Sequence, residues 1–176
     1  MVIEAQRVSY RQGGLPLVRN VTLAVGPGEM LAIVGRRGSG AATLWRLLAG
    51  EIAPSAGRVL VRGRSSGRGL GRDPRITAHG PDATRDLLTG ARDDGAADVL
   101  LCEQPAVSAD GPALLARCRE RADAGAAVVV TVADLALATA HAHTVAVVEA
   151  GRLVAWAAPS FAAHLLGTLP SPDRIP

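Results

Sequence analysis

The sequence predicts an α/β fold whose central sheet is mainly parallel. Strand-like apolar runs alternate with helix-like segments along the chain, which is the order typical of this class. The run "AAVVVTV" at 126–132 is apolar throughout, as expected for a parallel strand that is covered on both faces. At 176 residues the chain is long enough for one domain with a buried core. With 2% aromatic residues, that core must consist mainly of Ala, Val and Leu.

The first part of the chain predicts four strands and one helix around a glycine-rich turn. Loose alternation predicts strands in "VIEAQRVSY" and "VTLAV", and the second of these ends at the turn "GPGE". A strand follows at 30–34, then the glycine-rich turn, then a helix at 41–49 that Gly50 ends. "GRVLVRG" predicts another short strand. Residues 64–80 are rich in Gly, Arg and Ser, show hardly any apolar periodicity and predict a mobile loop.

The second part of the chain continues the alternation of helices and strands. A helix is expected at 82–92, followed by the strand "DVLLC", a helix at 112–124 and the apolar strand at 126–132. A helix at 135–142 leads to the strands "TVAVVE" and "LVAW", which the tight turn "AGR" connects. The segment "SFAAHLLG" predicts a last helix, and residues 168–176 form a Pro-rich tail.

Composition and charge exclude several classes of function. The net charge is +3 and all 19 basic residues are Arg, but no aromatic platform or basic helix accompanies them, so we expect no nucleic-acid partner. No apolar stretch approaches the roughly 20 residues of a membrane span. Glu4 and Arg7 interrupt a signal-like start, so the chain is not expected to enter a membrane. Cys102 and Cys118 lack metal-type spacing, which favours a reduced cytoplasmic setting without a metal site.

The glycine-rich turn has the spacing of a phosphate-binding loop. Residues 35–43, "GRRGSGAAT", follow a predicted strand and open a predicted helix, but Arg37 stands where a dinucleotide-binding fingerprint needs its second glycine. The spacing from Gly35 to Gly40 instead fits G-x-x-x-x-G-K-[ST], in which backbone N–H groups and a helix N-terminus converge on phosphate. The Lys and hydroxyl positions of that motif hold Ala41 and Ala42.

Two interpretations of this turn remain open. The N–H groups from Gly38 to Thr43 and the helix dipole survive the alanine substitutions, and Arg36 and Arg37 are placed to recover part of the lost lysine charge. On this interpretation ATP or another polyphosphate binds weakly and with little dependence on magnesium. The alternative is a turn that joins strand to helix and binds nothing.

Three segments, in order along the chain, resemble the ATP-binding subunits of ATP-binding cassette (ABC) transporters. They are residues 17–63, which contain the turn, "ADVLLCEQPAVSAD", which is similar to the Walker B strand and D-loop, and "DLALATAHAHTVAVVEAGRLVAWAAP", which is similar to the segment after the switch histidine. The resemblance covers nearly the whole chain. It implies a P-loop NTPase-like ABC ATPase core, with N-terminal antiparallel strands beside the mainly parallel sheet.

The chain departs from that family at the positions that carry hydrolysis. Where the family has a magnesium-orienting aspartate and then a water-polarising glutamate, this chain has Glu103 and Gln104. Glu103 keeps a charge that makes it a weak metal candidate, whereas Gln104 cannot accept a proton. The position of the switch histidine falls at Val132 or Ala133, depending on register. The resemblance therefore implies no intact catalytic residue and little or no ATP hydrolysis.

The resemblance also implies which residues would meet a nucleotide. The adenine-stacking aromatic residue of the family is expected near Gln12, and Tyr10 lies two residues away on the same strand face, where it can substitute. No metal ligand is expected beyond Glu103. The expected nucleotide-binding residues are Gly35, Arg36, Arg37, Gly38, Ser39, Gly40, Ala41, Ala42, Thr43 and Tyr10.

A deletion separates the chain further from the family. Family members carry a glutamine-bearing loop and a helical subdomain, which ends in the signature L-S-G-G-Q, before the Walker B strand. Here the loop at 64–80 replaces most of that subdomain, and "HGPDA" at 79–83 occupies the signature position. The chain is therefore interpreted as one ABC ATPase-like domain at 1–167. Because these ATPases work as head-to-tail pairs, neither shared site of a pair containing this chain would be complete.

Two classes of function follow from these observations. The first is a degenerate ABC transporter ATP-binding subunit, whose partners would be a membrane permease or another ABC ATP-binding subunit at the inner face of the cell membrane. The second is a non-catalytic scaffold or regulatory protein that uses the same fold to bind another protein. Stabilisation by nucleotide on heating would distinguish the first class from the second.

Overall fold

The described part of the chain contains two sheets and the helices that pack with them. The computed structural model describes residues 1–65, 75–80, 97–103 and 111–160. Several sequence-based expectations lie outside these ranges. They are the loop at 66–74, the helix at 82–92, Gln104, most of the last helix and the tail at 168–176.

The first sheet has four antiparallel strands. Gly13 and Gly14, both with positive φ, form the turn between its first two strands. The register Ile3↔Val25 and Ala5↔Leu23 places alternate residues on a buried face. The predicted antiparallel strands are therefore confirmed. The members are β1 (Ile3–Gln12), β2 (Leu15–Val25), β4 (Ala56–Val61) and β5 (Arg64–Ser65), in the spatial order β2-β1-β4-β5.

The second sheet has six strands and is mainly parallel. Five strands run in the same direction, and the strand at residues 152–157 is antiparallel to its neighbour. This arrangement confirms the fold class that the sequence predicts. The members are β3 (Met30–Val34), β6 (Ile76–His79), β7 (Val99–Glu103), β8 (Ala127–Val132), β9 (Thr144–Glu149) and β10 (Arg152–Ala157), in the order β10-β9-β3-β8-β7-β6.

Three helices have bounds close to those predicted: α1 (Ala41–Leu48), α2 (Gly111–Asp123) and α3 (Leu135–His141). The start of α3 is fixed by Asp134, whose carboxylate accepts a hydrogen bond from the N–H of Ala136 at 2.7 Å. Within the described ranges, no helix is both long and apolar enough to cross a membrane.

The core lies on both faces of the parallel sheet, as the wholly apolar strand at 126–132 predicts. Every residue of β8 is buried, and alternate residues belong to different apolar clusters. Ala127 and Val129 pack with α1 and the antiparallel sheet, whereas Val128 and Val130 pack with α2 and α3. The carboxyl ends of the parallel strands lie at one edge of the sheet, and packing on both faces holds the strands in place.

The prediction of a mobile loop at 64–80 is wrong at both ends of that range. Residues 64–65 form β5, and residues 76–79 form β6, which pairs in parallel with β7 through Ile76↔Val99 and His79↔Cys102. His79, the first residue of the segment assigned to the signature position, is fully buried in that strand. Two to four residues are too few to show a periodicity, so only pairing with another strand reveals these elements, β4 for β5 and the more distant β7 for β6.

Candidate functional site

The glycine-rich turn of residues 35–40 connects β3 to α1 and holds a defined shape. Its backbone closes on itself because the N–H of Ser39 donates to the carbonyl of Arg36 at 2.9 Å. Gly38 and Gly40 have φ of +83° and +98°, the left-handed region that favours glycine. The N–H of Ala41 donates to the Oγ of the buried Ser39 at 3.3 Å.

The turn between β9 and β10 and the strand β2 both contact this loop. The N–H of Gly151, in the turn between β9 and β10, donates to the carbonyl of Ser39 at 2.7 Å. The carbonyl of Gly151 in turn accepts from the N–H of Arg19 in β2 at 2.7 Å. A Cβ on Gly40 would lie 2.4 Å from the carbonyl oxygen of Leu17. The loop therefore has no room to collapse towards β2, and its shape does not depend on a lysine side chain.

The loop and the first turn of α1 contain more N–H donors than the fold uses. Of the N–H groups from Gly38 to Thr43, those of Ser39 and Ala41 donate inside the loop. Within the described part of the chain, the N–H groups of Gly38, Gly40, Ala42 and Thr43 have no such acceptor. The first N–H groups of a helix have no partner within the helix, and its dipole adds about half a positive charge there. Of the backbone N–H groups that the sequence predicts to bind phosphate, these four are the ones still available to a ligand.

A cavity of about 540 Å³ lies in front of the loop. The carboxyl ends of parallel strands meet at one edge of a sheet, and the register pairs Glu103 of β7 with Thr131 of β8 at that edge. The lining combines the loop and α1 with these strand ends and with β2. It consists of Leu17, Ile33, Gly35, Arg36, Arg37, Gly38, Gly40, Ala41, Ala42, Thr43, Glu103, Thr131, Val132 and Ala133.

Four small or apolar residues occupy the positions where the family would place its reactive side chains. Ala41 is buried and Ala42 is exposed on the first turn of α1, and both line the cavity. Val132 and Ala133, the two alternatives for the switch histidine, line it as well. None of these side chains donates, accepts or carries charge.

Glu103 supplies the only carboxylate among the lining residues of this cavity in the described chain. Burial raises the pKa of its carboxyl above the ordinary 4.5, the charge of Glu51 raises that pKa further, and Arg46 lowers it. Arg46 is itself paired with Glu51 at 3.0 Å. Glu103 therefore lies in a setting that disfavours its charged form.

The described lining of this cavity offers few side-chain oxygen atoms to a magnesium ion. Mg²⁺ needs near-octahedral oxygen ligands and is usually held by one or two carboxylates together with phosphates. The lining offers one carboxylate, Glu103, and two hydroxyls, Thr43 and Thr131, while the family's hydroxyl position is the methyl group of Ala42. No group of three or more His, Cys, Asp or Glu side chains that could hold a metal occurs in the described ranges.

Tyr10, the expected substitute for the adenine-stacking residue, is half-buried and packs against the core cluster between the two sheets. Among the described residues that line the cavity, Leu17 supplies the half-exposed apolar side chain instead. Sequence reasoning missed Leu17, Thr131 and the supporting Gly151. Alternation along β2 marks Leu17 as part of a strand, but no local signal places it beside the loop.

Comparison with known proteins finds the same family over the first half of the chain. The family model for the ABC transporter matches residues 18–82. The hemin import ATP-binding protein HmuV of Rhodopseudomonas palustris is 47% identical over 57 residues, which are 32% of this chain and 22% of that protein. The aliphatic sulfonates import ATP-binding protein SsuB of Cupriavidus necator is 40% identical over 83 residues, 47% of this chain and 27% of that protein. The chain thus matches about a quarter of the length of these relatives.

The fold is similar to solved structures over almost its whole length. An ATP-binding subunit of an ABC transporter superposes with a TM-score of 0.73 at 18% identity, covering 95% of this chain and 94% of that one. The cbiO1 protein of Clostridium perfringens, part of the ABC transporter complex cbiONQ, superposes with a TM-score of 0.75 at 16% identity, covering 93% and 90% of the two chains. At these identities the likeness concerns the fold.

Proposed function

Since this chain belongs to the family of ABC transporter ATP-binding proteins, we propose that it is a nucleotide-binding subunit of an importer that binds nucleotide weakly and hydrolyses little or none. The observation that carries the proposal is the glycine-rich loop. Its four N–H donors face no acceptor within the described chain, while Ala41 and Ala42 line the same cavity. Such a loop keeps the backbone contacts to phosphate and lacks the side-chain ones.

The affinity for nucleotide should be low because the contact between a lysine and the phosphates is missing. A hydrogen bond from a lysine to phosphate is worth roughly 1.5–3 kcal/mol, which corresponds to a factor of ten or more in the dissociation constant. Arg36 and Arg37 are exposed on the outer limb of the loop and line the cavity, where they restore part of the positive charge. Since Ala42 occupies the position of the hydroxyl that binds Mg²⁺ in the family, we expect binding to depend little on magnesium.

Hydrolysis should be negligible for a separate reason. A water molecule that attacks phosphate needs a general base, and neither Gln104 nor Val132 nor Ala133 can take up a proton. Activity of the highly purified protein that disappears when Gln104 is replaced by Ala would contradict this part of the proposal.

The proposed partner is a membrane permease, or a second ABC ATP-binding subunit, on the cytoplasmic face of the membrane. The hemin and sulfonate proteins to which this chain is similar are named as import ATP-binding proteins, which supports an importer. Co-purification of the full chain with a permease from its own host would support this assignment.

The test of nucleotide binding is calorimetry with ATP, with and without magnesium, on the wild type and on Gly40→Asp. Gly40 has a φ of +98°, and its added side chain would meet the carbonyl of Leu17, so the loop must deform. Gly125→Asp is the matched control, since Gly125 has a φ of +104° in open space away from the cavity. Binding that the first variant loses and the second keeps supports the proposal. No heat with the wild type contradicts it.

A non-catalytic scaffold is the second candidate, and one observation favours it. Val154 and Trp156 are 44% and 42% exposed on β10, the edge strand of the parallel sheet. Exposed apolar side chains on an edge strand are typical of a surface that pairs with another chain. A scaffold would co-purify with a partner without any stabilisation by nucleotide on heating.

A further inference from the structure

We propose that the outer edge of β10 docks an extended segment of a partner protein, which places apolar side chains beside Val154 and Trp156 and an acidic side chain beside Arg152. The inference rests on the second candidate function, the scaffold, and adds the chemistry of its partner. It does not depend on nucleotide binding, so the two can be tested separately.

The strand β10 lies at one edge of the six-stranded sheet, and β9 is its only strand neighbour in the described chain. Within the same ranges, no backbone hydrogen bond joins residues 152–157 to an element other than β9. An edge strand has a row of N–H and C=O groups that its single neighbour does not use. An added strand from a partner satisfies these groups, and its side chains then decide the specificity.

The exposed side chains of β10 favour an apolar partner over most of its length. Exposure alternates along the strand, so that Arg152, Val154 and Trp156 are exposed while Ala155 is buried. A tryptophan buries a large area when it is covered, and tryptophans often dominate the energy of an interface. The partner residues that lie over Val154 and Trp156 should therefore be apolar.

The start of β10 carries excess positive charge. The turn residue Gly151 accepts a hydrogen bond from the N–H of the β2 arginine at 2.7 Å, and its own N–H binds the glycine-rich loop at Ser39. Glu149, opposite the first residue of β10 in the hairpin register, is the carboxylate of this turn. Four exposed arginines against one carboxylate attract an acidic side chain. In the described ranges these arginines make no ion pair, and they are Arg19, Arg36, Arg37 and Arg152.

A second copy of this chain fits the edge less well than an acidic segment does. If two β10 strands paired centrally and antiparallel, Arg152 would lie opposite Ala157 of the other copy, and its charge would remain unmet. The register with β9 also shifts between Leu153 and Ala155, an irregularity that disfavours long, regular pairing of two sheet edges.

An anionic lipid surface also fits less well. Its headgroups would meet the arginines, but its hydrocarbon offers no partner to the N–H and C=O groups of an edge strand. An extended protein segment supplies the backbone partners, the apolar contacts and the negative charge together.

The first experiment titrates the full wild-type chain into two fluorescein-labelled peptides and measures fluorescence polarisation. Each peptide has roughly eight residues, with valine and threonine alternating in the middle. One peptide has a glutamate at each end, and the matched control has a lysine at each end. We expect the glutamate peptide to bind about fivefold more tightly and to slow hydrogen exchange of the amides at 152–157. Equal binding of both peptides, no binding, or protection confined to other segments would overturn the inference.

The same measurements detect the other two occupants. Protection of residues 152–157 that appears without peptide and grows with protein concentration would assign the edge to a second copy. Binding to vesicles of phosphatidylcholine and phosphatidylglycerol, without binding of either peptide, would assign the surface to lipid. Either result would overturn the inference.

The second experiment reverses the charge with Arg152→Glu. This variant should bind the lysine peptide more tightly than the glutamate peptide, which inverts the wild-type preference. Arg64→Glu is the matched control, since Arg64 is an exposed arginine on β5, the edge strand of the other sheet. It should keep the wild-type preference. An Arg152→Glu protein that still prefers the glutamate peptide would overturn the role of Arg152.

The apolar contact is tested with Trp156→Ala, which should weaken the binding of both peptides about tenfold. Leu15→Ala is its control, because Leu15 is 68% exposed on β2 and should leave peptide binding unchanged. Equal affinities of the two variants would contradict docking on β10. The wild-type titrations decide the inference even if a variant does not fold.

Calorimetry with ATP on the same wild-type preparation separates this inference from the proposed nucleotide binding. Peptide binding without any heat from ATP supports docking on β10 and contradicts nucleotide binding. Heat from ATP without peptide binding does the reverse.

Discussion

The two ends of the central strand β3 differ in how completely their polar groups are satisfied. At the amino end, Met30 and His143 exchange two hydrogen bonds: the N–H of His143 donates to the carbonyl of Met30 at 2.9 Å, and the N–H of Met30 donates to Nδ1 of His143 at 3.0 Å. Nε2 of the same imidazole lies 3.4 Å from Asp123. At the carboxyl end, the loop leaves four N–H donors without an acceptor in the described chain.

With the proposed function, one end of β3 contributes to stability and the other end to ligand binding. A network that is closed on itself contributes to folding and offers nothing to a ligand. Donors that the fold leaves open lower the stability of the protein alone and become useful when an anion binds. We therefore expect mutations at the amino end of β3 to change the free energy of unfolding without changing nucleotide affinity. Mutations in the turn that contacts the loop should change both quantities.

The largest effect is expected for Gly151→Ala. Gly151 has a φ of +77°, and an added Cβ would lie 2.7 Å from the carbonyl oxygen of Leu17. Relieving that contact must move the turn away from Ser39, so we expect the free energy of unfolding to fall by about 2–4 kcal/mol and nucleotide binding to be lost. Urea denaturation and calorimetry measure the two quantities.

Gly14→Ala is the control for this prediction, because Gly14 has a φ of +83° with nothing near its Cβ position. It should lose only about 1 kcal/mol from the strained backbone and should keep its nucleotide affinity. Equal effects of the two variants would mean that the contact between the β9–β10 turn and the loop has no role in binding.

A smaller effect is expected for His143→Ala at the amino end. The variant leaves the N–H of Met30 without its acceptor, which should lower the free energy of unfolding by about 1–2 kcal/mol. Nucleotide affinity should stay within twofold, since no group at the carboxyl end changes. His143→Asn keeps an acceptor near the Nδ1 position and should recover part of the stability. A loss of nucleotide affinity in His143→Ala would show that the two ends of β3 are coupled.

The smallest effect is the dependence of stability on Glu103 and pH. Because burial and Glu51 raise the pKa of this carboxyl in the folded protein, the folded state binds the proton more tightly than the unfolded state does. Ionisation of Glu103 thus opposes folding above its folded pKa, and this penalty disappears as the pH falls towards the ordinary value of 4.5.

Glu103→Gln should therefore be slightly more stable than the wild type at neutral pH, by less than about 1 kcal/mol because the side chain is partly exposed, and equally stable well below pH 4.5. Thermal unfolding at several pH values measures this. A variant that is less stable at neutral pH would show that the charge of Glu103 stabilises the fold.

Much of the fold follows from local patterns. The strands β3, β8 and β9 are runs of mostly apolar residues long enough to be recognised, and the glycines from Gly35 to Gly40 are sufficient to predict a turn between strand and helix. The positions of Ala41 and Ala42 in that loop likewise need only the sequence. The strand at residues 76–79 is not predicted because so short a strand has no period of its own, and its pairing partner β7 lies about twenty residues further along.

The candidate site depends on contacts that local sequence patterns do not predict. By itself the sequence determines the order of the elements and the glycine spacing of the loop, and it predicts that Ala41, Ala42 and Gln104 replace a lysine, a hydroxyl and a general base. Each of these is a property of neighbouring residues. Only the tertiary structure brings Leu17 and Glu103 into the lining of one cavity and joins Gly151 to Ser39. These contacts link residues far apart in the chain through backbone hydrogen bonds and close packing, and no local pattern indicates which distant segment supplies the partner.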